Sequence, residues 1–309
     1  MDNALLFEIK GFSGVNNIDP DWRMPVAQVD KPHIGVVADM GTIDNLDIDN
    51  VNSLKTRLGS VEKITGTDIH SLWSNGSVCF YVDETTLYSM SALYAGTALK
   101  TGLTPNARMT YQEVNDRIYM TNGTWIGYYK EGTIYDLTIP TMTYKAVLPA
   151  GQHMTFYQGQ LYIASNNVLY IADALSDHFD VRYGYRQFLN NITMLHAVGK
   201  GIYASDGKTW FMTRSPALRT DEPDEFRREE VLSVGAIPYT DVEISGSDVK
   251  DGEAEDYLIW MSQEGVCLGS GDGKVFQATI TKYHLPDYAV GSACLRKASG
   301  VNHYIATLG

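Results

Sequence analysis

The chain has 309 residues, with 24 Lys+Arg against 37 Asp+Glu and a formal net charge of −13. Binding a nucleic-acid backbone needs clustered cations that displace counterions, and this surplus of carboxylates works against it; no apolar stretch approaches the roughly 20 residues that would carry a helix across a bilayer. With 20 Tyr, 28 Gly and 10 Pro, and no long apolar face of 3.6-residue period, the composition points to an all-β chain of many short strands. The acidic surface reads as a device for solubility rather than as a wall along which DNA slides.

In chain order, Met1-Asp2-Asn3 and the short apolar run Ala4 to Phe7 have neither the basic nor the apolar region of a secretory signal, so synthesis in a cytoplasm is expected. Gly11, Gly14, Pro20, Pro25 and Pro32 interrupt any long element, which predicts an extended arm over residues 1–33, either a disordered tail or a strap that packs on a neighbouring subunit, the strap being favoured. The remainder, 34–309, reads as one domain. Ile43 to Asp49 alternates apolar and polar residues, turns at Asn50-Val51-Asn52 and returns over Ser53 to Leu58, a hairpin.

From Ser71 onward a repeat sets in. Units begin at Ser71, Met109, Met154 and Met194, roughly 40 residues apart. Each runs as a short apolar strand, a Gly or Asn turn, a strand with a Tyr or Phe pair, a second turn and another strand. The clearest is Leu161-Tyr162-Ile163-Ala164 turning at Asn166-Asn167 into Val168-Leu169-Tyr170-Ile171, where Asn can take the positive φ that a two-residue hairpin requires. Asp206-Gly207 and Asn122-Gly123 supply equivalent turns. Two more units follow with variation, from Tyr257 and from Ser292. Four-stranded units at this period predict a single β-propeller rather than a sandwich.

Pro216 to Glu230 and Ser245 to Asp256 break the pattern and read as charged, solvated insertions. The last unit is short, ending at Gly309, so the N-terminal strands of residues 43–59 are expected to complete it. That gives six blades, or seven if residues 34–60 form a blade of their own.

No chemistry-bearing constellation emerges. Cys79, Cys267 and Cys294 are odd in number and widely spaced, which predicts reduced core residues. Asn75-Gly76-Ser77, Asn122-Gly123-Thr124 and Asn191-Ile192-Thr193 fit the glycosylation pattern but read as turn chemistry. Ala204 to Trp210 resembles the Asp-box turn of sialidases with one residue missing, and Ser270 to Lys274 does so more loosely; that turn is a folding feature. The 11 Arg are dispersed, without the cluster a carboxylate substrate needs. No nucleophile elbow, zinc helix or P-loop occurs, no carboxylate pair stands out for glycoside hydrolysis, and His33, His70, His153, His178, His196, His284 and His303 lack metal-ligand spacing. Asp44, Asp47 and Asp49 group carboxylates as calcium favours, but Val51 and Asn52 stand where a ligand and the turn glycine of a calcium loop belong, so a solvated face is expected. No catalytic, cofactor-binding or metal residue is assigned, and no cofactor is expected.

Several segments lie in an order that resembles bacteriophage virion structural proteins of the propeller type. Ile43 to Gly59 is similar to an N-terminal hairpin signature whose returning strand carries Lys55, Arg57 and Gly59. Gly14-Val15-Asn16-Asn17 looks like the Gly-x-x-Asn start of that family. Ala174 to Phe188 is similar to its long outer-strand segment, and Glu230 to Ile237, Trp260-Met261-Ser262 and the Gly-rich run 269–276 to its penultimate blade. The resemblance implies a non-enzymatic structural part of a particle (tail, tail hub or nozzle, or head–tail connector), made in the host cytoplasm and assembled into the virion. Its implied partners are other virion proteins and copies of itself in a symmetric ring, without specific nucleic-acid binding or membrane insertion. The alternative is a carbohydrate-binding or glycan-cleaving propeller at a receptor-facing tail tip.

Overall fold

A computed structural model of the chain describes residues 9–15, 36–40, 46–48, 54–56, 62–215, 225–249, 255–279, 285, 288–298 and 301–309. The chain divides into two compact units. The middle unit comprises Val61–Gly235 with Gly271–Gly273; the terminal unit comprises Met1–Ser60, Ala236–Ser270 and Lys274–Gly309.

The terminal unit opens with β1 (Ile9–Val15), which pairs parallel to β2 (Val36–Met40) with two register shifts, and an antiparallel hairpin of β3 (Leu46–Ile48) and β4 (Leu54–Thr56). The arm expected over 1–33 therefore contributes a strand at Ile9–Val15, and its other residues lie outside the described ones.

The middle unit carries four four-stranded antiparallel sheets in succession. The first is β5 (Ile69–Ser74), β6 (Cys79–Asp83), β7 (Thr86–Met90) and β8 (Gly96–Lys100). The second is β9 (Thr110–Val114), β10 (Arg117–Thr121), β11 (Ile126–Lys130) and β12 (Thr133–Asp136). After β13 (Lys145–Val147) the third follows: β14 (His153–Tyr157), β15 (Gln160–Ser165), β16 (Val168–Ile171) and, beyond β17 (His178–Asp180), β18 (Tyr185–Gln187). The fourth is β19 (Met194–Val198), β20 (Gly201–Ser205), β21 (Thr209–Ser215) and β22 (Glu225–Leu232).

The second strand of each sheet explains the repeat. Phe80, Tyr81 and Val82 on β6, Tyr119 and Met120 on β10, Leu161 to Ala164 on β15 and Ile202 to Ala204 on β20 are all buried. A strand covered on both faces reads as a continuous apolar run, not as an alternation. Each such strand also faces its neighbour through an aromatic residue: Tyr81 opposite Tyr88, Tyr119 opposite Tyr128, Ile163 opposite Tyr170 and Tyr203 opposite Phe211. The all-aromatic pairs have ring centroids 5.1, 5.8 and 4.9 Å apart, within the range where such pairs contribute about 0.5–1.5 kcal/mol beyond their area.

Apolar side chains from successive sheets interlock. Leu87 and Met120 share one cluster, Tyr119 and Ile163 a second, Leu169, Ile202 and Met212 a third. Successive sheets are joined by hydroxyl contacts at or just before their first strands. Met109 N donates to Ser71 Oγ at 2.9 Å, Thr110 Oγ1 to the Gln152 carbonyl at 2.6 Å, and Ala197 N to Thr155 Oγ1 at 3.0 Å. The partners stand 38, 42 and 42 residues apart, so the sequence period is a spatial one.

Turns behave largely as their residues predict. Gly123 and Gly207 take φ of 86° and 100°. In the Asn166-Asn167 turn the positive φ (52°) is taken by Asn166 and not by Asn167.

Two expectations are corrected. Glu225–Glu230 is not a solvated insertion; it belongs to β22, the outer strand of the fourth sheet, with Arg227 to Glu230 exposed. An outer strand buries few side chains, so charge is compatible with it and also protects the sheet edge from mispairing. Residues 216–224 lie outside the described residues. Ala174 to Phe188 is not one long outer strand: it holds β17 and β18, which join different sheets.

In the terminal unit a further four-stranded antiparallel sheet comprises β23 (Val242–Ile244), β24 (Tyr257–Ser262), β25 (Gly265–Ser270) and β26 (Val275–Gln277). Trp260 and Leu258 on β24 are fully buried. The acidic insertion 245–256 contains a single helical turn, α1 (Gly246–Val249), and residues 250–254 lie outside the described ones. The chain ends with the hairpin of β27 (Gly291–Ala298) and β28 (Val301–Leu308). Tyr304, Ala306 and Leu308 pack on Ile237, Met261 and Leu285, and Tyr304 Oη donates to the Thr240 carbonyl at 2.6 Å. Among the described residues, β3–β4 and β27–β28 each pair only within their own hairpin.

Candidate interaction site

One feature departs from the four-strand grammar. β13 lies between the second and third sheets in sequence, and β17 is inserted between β16 and β18. The two pair antiparallel, with Lys145 opposite Asp180, Ala146 opposite Phe179 and Val147 opposite His178. Buried Phe179 and Leu148 anchor this side sheet to the cluster that holds Tyr119 and Ile163. Further bonds tie its margins: Val181 N donates to the Tyr144 carbonyl at 3.0 Å, and His178 Nε2 lies 3.0 Å from the Thr138 carbonyl.

The residues bordering the side sheet leave large side chains in water. Ile139 is 79% exposed and Met142 61%, and Tyr144, Val181, Tyr183 and Tyr185 are also exposed. Among them Arg182 is fixed from several sides. Its Nε and Nη2 donate to the two oxygens of Asp180 at 3.0 and 2.8 Å, and its guanidinium lies over the rings of Tyr144 (4.3 Å) and Tyr183 (4.9 Å). Lys145 Nζ lies 2.7 Å from Asp173 and 3.4 Å from Asp180. The Arg182 guanidinium, helped by the Arg182 backbone N–H and by Lys145, holds the Asp180 carboxyl well below the usual carboxylate range. The charges are thus mutually compensated, while the flat donors and aromatic faces stay at the surface.

A second feature is a cavity of about 170 Å³ between the β9–β10 and β14–β15 turns, lined by Asp116, Arg117, Tyr119, Phe156, Leu161 and Leu175 among others. Tyr119 Oη donates to Asp177 Oδ1, and Arg117 Nη1 donates to Asp177 Oδ2 at 3.2 Å while its guanidinium lies over Tyr128 at 4.5 Å. Burial, and then the bond to Asp177, push the Tyr119 phenol up, so it is no base at neutral pH. The cavity is smaller than the roughly 300–1,000 Å³ of ordinary ligand sites. Its cation Arg117 is spent on Asp177 and its acid Asp116 on Lys130.

The residues weighed from sequence are placed as follows. Asp206, only 4% exposed, accepts Trp210 Nε1 at 2.6 Å and Leu189 N at 3.1 Å, and its carbonyl accepts Asn190 Nδ2 at 2.8 Å. It pins a hairpin to the preceding loop, a folding role. Ser270 and Lys274 close the β25–β26 hairpin through bonds of 2.9 to 3.1 Å. Asn75 and Asn122 serve as turn residues, each Oδ1 accepting backbone N–H groups of the two residues that follow its glycine.

His70, His153, His178, His196 and His303 all lie on strands, and among the described residues no three His, Cys, Asp or Glu side chains are grouped as a metal site would require. His33, His284, Asp44 and Asp49, and the side chain of Asp47, lie outside the described residues. The three thiols are free, but they are not all core residues: Cys267 is buried, Cys79 half-buried and Cys294 exposed. Cys294 shares the face of β27 with exposed Ser292, because side chains alternate along a strand. Among the described residues, no helix is long and apolar enough to cross a membrane.

The side sheet was missed in the sequence because its strands are three residues long and pair across distant segments. The repeated Tyr and Arg of Val181-Arg182-Tyr183-Gly184-Tyr185-Arg186 was its one visible signal.

Successive four-stranded antiparallel sheets place the chain in the β-propeller class of all-β folds. Several solved structures are similar to the chain. BBS1N in its complex with ARL6DN matches with a TM-score of 0.50 and 12% identity over 82% of this chain and 76% of that one. Virginiamycin B lyase from Staphylococcus aureus matches at 0.47 and 10% over 84% and 83%, and the WD40 β-propeller domain of Doa1 at 0.42 and 14% over 68% and 67%. None of these three is described as a bacteriophage protein. No protein-family model and no curated protein matches the sequence.

Proposed function

We propose that the chain is a non-catalytic protein-interaction scaffold and, more narrowly, a structural component of a bacteriophage particle. The observation that carries the scaffold reading is the rim of the β13–β17 side sheet, where Met142, Tyr144, Tyr183 and Tyr185 are exposed around the clamped Arg182. Tyr, Met and Arg are the side chains enriched where proteins meet. A guanidinium already held between two rings has less freedom to lose on binding. The complex of BBS1N with ARL6DN offers a precedent for this use of the fold.

The narrower part rests on the ordered sequence resemblance from Ile43 to Gly59 through to the Gly-rich 269–276 run. In that reading the chain is made in the host cytoplasm and built into a tail, a tail hub or nozzle, or a head–tail connector, against other virion proteins and further copies of itself. Mass spectrometry of purified particles tests it: the chain is expected at a fixed ratio to the other structural proteins, and its absence would overturn the virion reading.

The exposed tyrosines also favour one second reading, a carbohydrate-binding or glycan-cleaving propeller at a receptor-facing tail tip, since tyrosine offers an apolar face and a polar edge. Retention of the purified chain on host surface polysaccharide, lost in Tyr144→Ala with Tyr183→Ala, would favour it over the scaffold.

A further inference from the structure

The chain contains two Asn-Gly pairs, Asn75-Gly76 and Asn122-Gly123. Both form the same local turn. Asn75 Oδ1 accepts from Ser77 N and Val78 N at 3.0 Å each, Asn122 Oδ1 accepts from Thr124 N at 3.1 Å and Trp125 N at 2.8 Å, and the two glycines take φ of 88° and 86°. Their surroundings differ. Asn122 is 5% exposed, and Gln152 Nε2 stands 3.0 Å from the place a Cβ on Gly123 would occupy. Asn75 and Gly76 are exposed, and the space beside Gly76 is open. Asn75 Nδ2 is engaged in one further contact: it donates to Glu113 Oε2 at 2.9 Å. This bond ties the β5–β6 turn of the first four-stranded sheet to β9 of the second.

We propose that Asn75 is a site of spontaneous amide-to-acid conversion, and that the conversion releases this tie between the two sheets. The Gly76 backbone nitrogen gives up its proton to water or hydroxide and attacks Asn75 Cγ. A new C–N bond closes a five-membered succinimide, the carboxamide C–N bond breaks, and the nitrogen leaves as ammonia after taking up a proton. Water then adds to one of the two ring carbonyls and opens the ring to an aspartyl or an isoaspartyl residue, with no change in oxidation state. Gly76 has no Cβ to hinder the attack and is exposed; its N–H donates to Ser74 Oγ at 3.1 Å, a surface bond that must open first, whereas Asn122 must wait for opening of a buried turn.

Either product replaces an amide donor with a carboxylate facing the Glu113 carboxylate, so attraction becomes like-charge repulsion. The isoaspartyl product also lengthens the main chain and draws the acceptor oxygen away from Ser77 and Val78.

The full-length chain held at mildly alkaline pH and mapped by peptide mass spectrometry over time tests the first half. The peptide containing Asn75 is expected to gain aspartyl and isoaspartyl products several-fold faster than the peptide containing Asn122. Asn75→Asp tests the second half. It keeps the turn acceptor, so it is expected to fold with a lowered Tm, and adding Glu113→Gln is expected to restore the Tm because a glutamine amide can donate to the new carboxylate. Conversion of Asn122 at the same rate or faster, or an Asn75→Asp Tm equal to the parent's or unrescued by Glu113→Gln, would overturn the proposal.

Discussion

Asp206 shows how a short motif acquires a job that has nothing to do with catalysis. One carboxylate oxygen accepts the Trp210 indole and the other accepts a main-chain N–H from the preceding loop, with the side chain almost fully buried. Removing it leaves two partly buried donors without their acceptor, at about 1–2 kcal/mol each. Asp206→Ala is therefore expected to lower stability by about 2–4 kcal/mol in denaturant titration, and a change within error would refute the role. The thiols give a second residue-scale expectation. Burial pushes the Cys267 thiol up to about 11 and also raises Cys79, while Cys294 lies on an exposed face. A maleimide should label Cys294 first, Cys79 more slowly and Cys267 only on unfolding. Turn residues such as Asn75, Asn122, Gly123 and Gly207 were legible in the sequence because a turn is dictated by the few residues that make it. The exposure of Cys294 was not legible, since it depends on which face of β27 is covered.

At the scale of elements, legibility follows burial and locality. β6, β10, β15 and β20 are fully covered second strands flanked by tight turns, and their apolar runs announce them. β22 buries few side chains, so Glu225 to Glu230 looked like solvated chain. β13 and β17 have three residues each and meet only because Phe179 and Leu148 are drawn into a core assembled from other sheets. The side sheet carries its own pH signature. The folded-state value of the Asp180 carboxyl is depressed, so its contribution to stability is complete above the ordinary Asp value of about 3.9 and fades as pH falls below it. Asp180→Asn is expected to cost about 1–3 kcal/mol at neutral pH. The gap between variant and parent should narrow steadily below about pH 4. A gap that persists unchanged into acid would show that Asp180 does not act through its charge.

At the scale of the molecule, the middle unit is a chain of near-equivalent sheets with recurring devices: an aromatic pair across the second and third strands in three of the four, apolar clusters between sheets, and hydroxyl contacts at or just before successive first strands. That regularity supplies a compact frame, and the side sheet is the place where the pattern is broken to put Met142, Tyr144, Arg182 and Tyr183 into solvent. A scaffold needs both properties. The most direct test combines Met142→Ala, Tyr144→Ala and Tyr183→Ala in one chain and measures its incorporation into assembled particles against the parent. These side chains are exposed, so the variant is expected to keep the parent's circular dichroism and its Tm to within a few degrees. The scaffold account predicts that this folded variant is lost from particles; incorporation at the parent's level would contradict it.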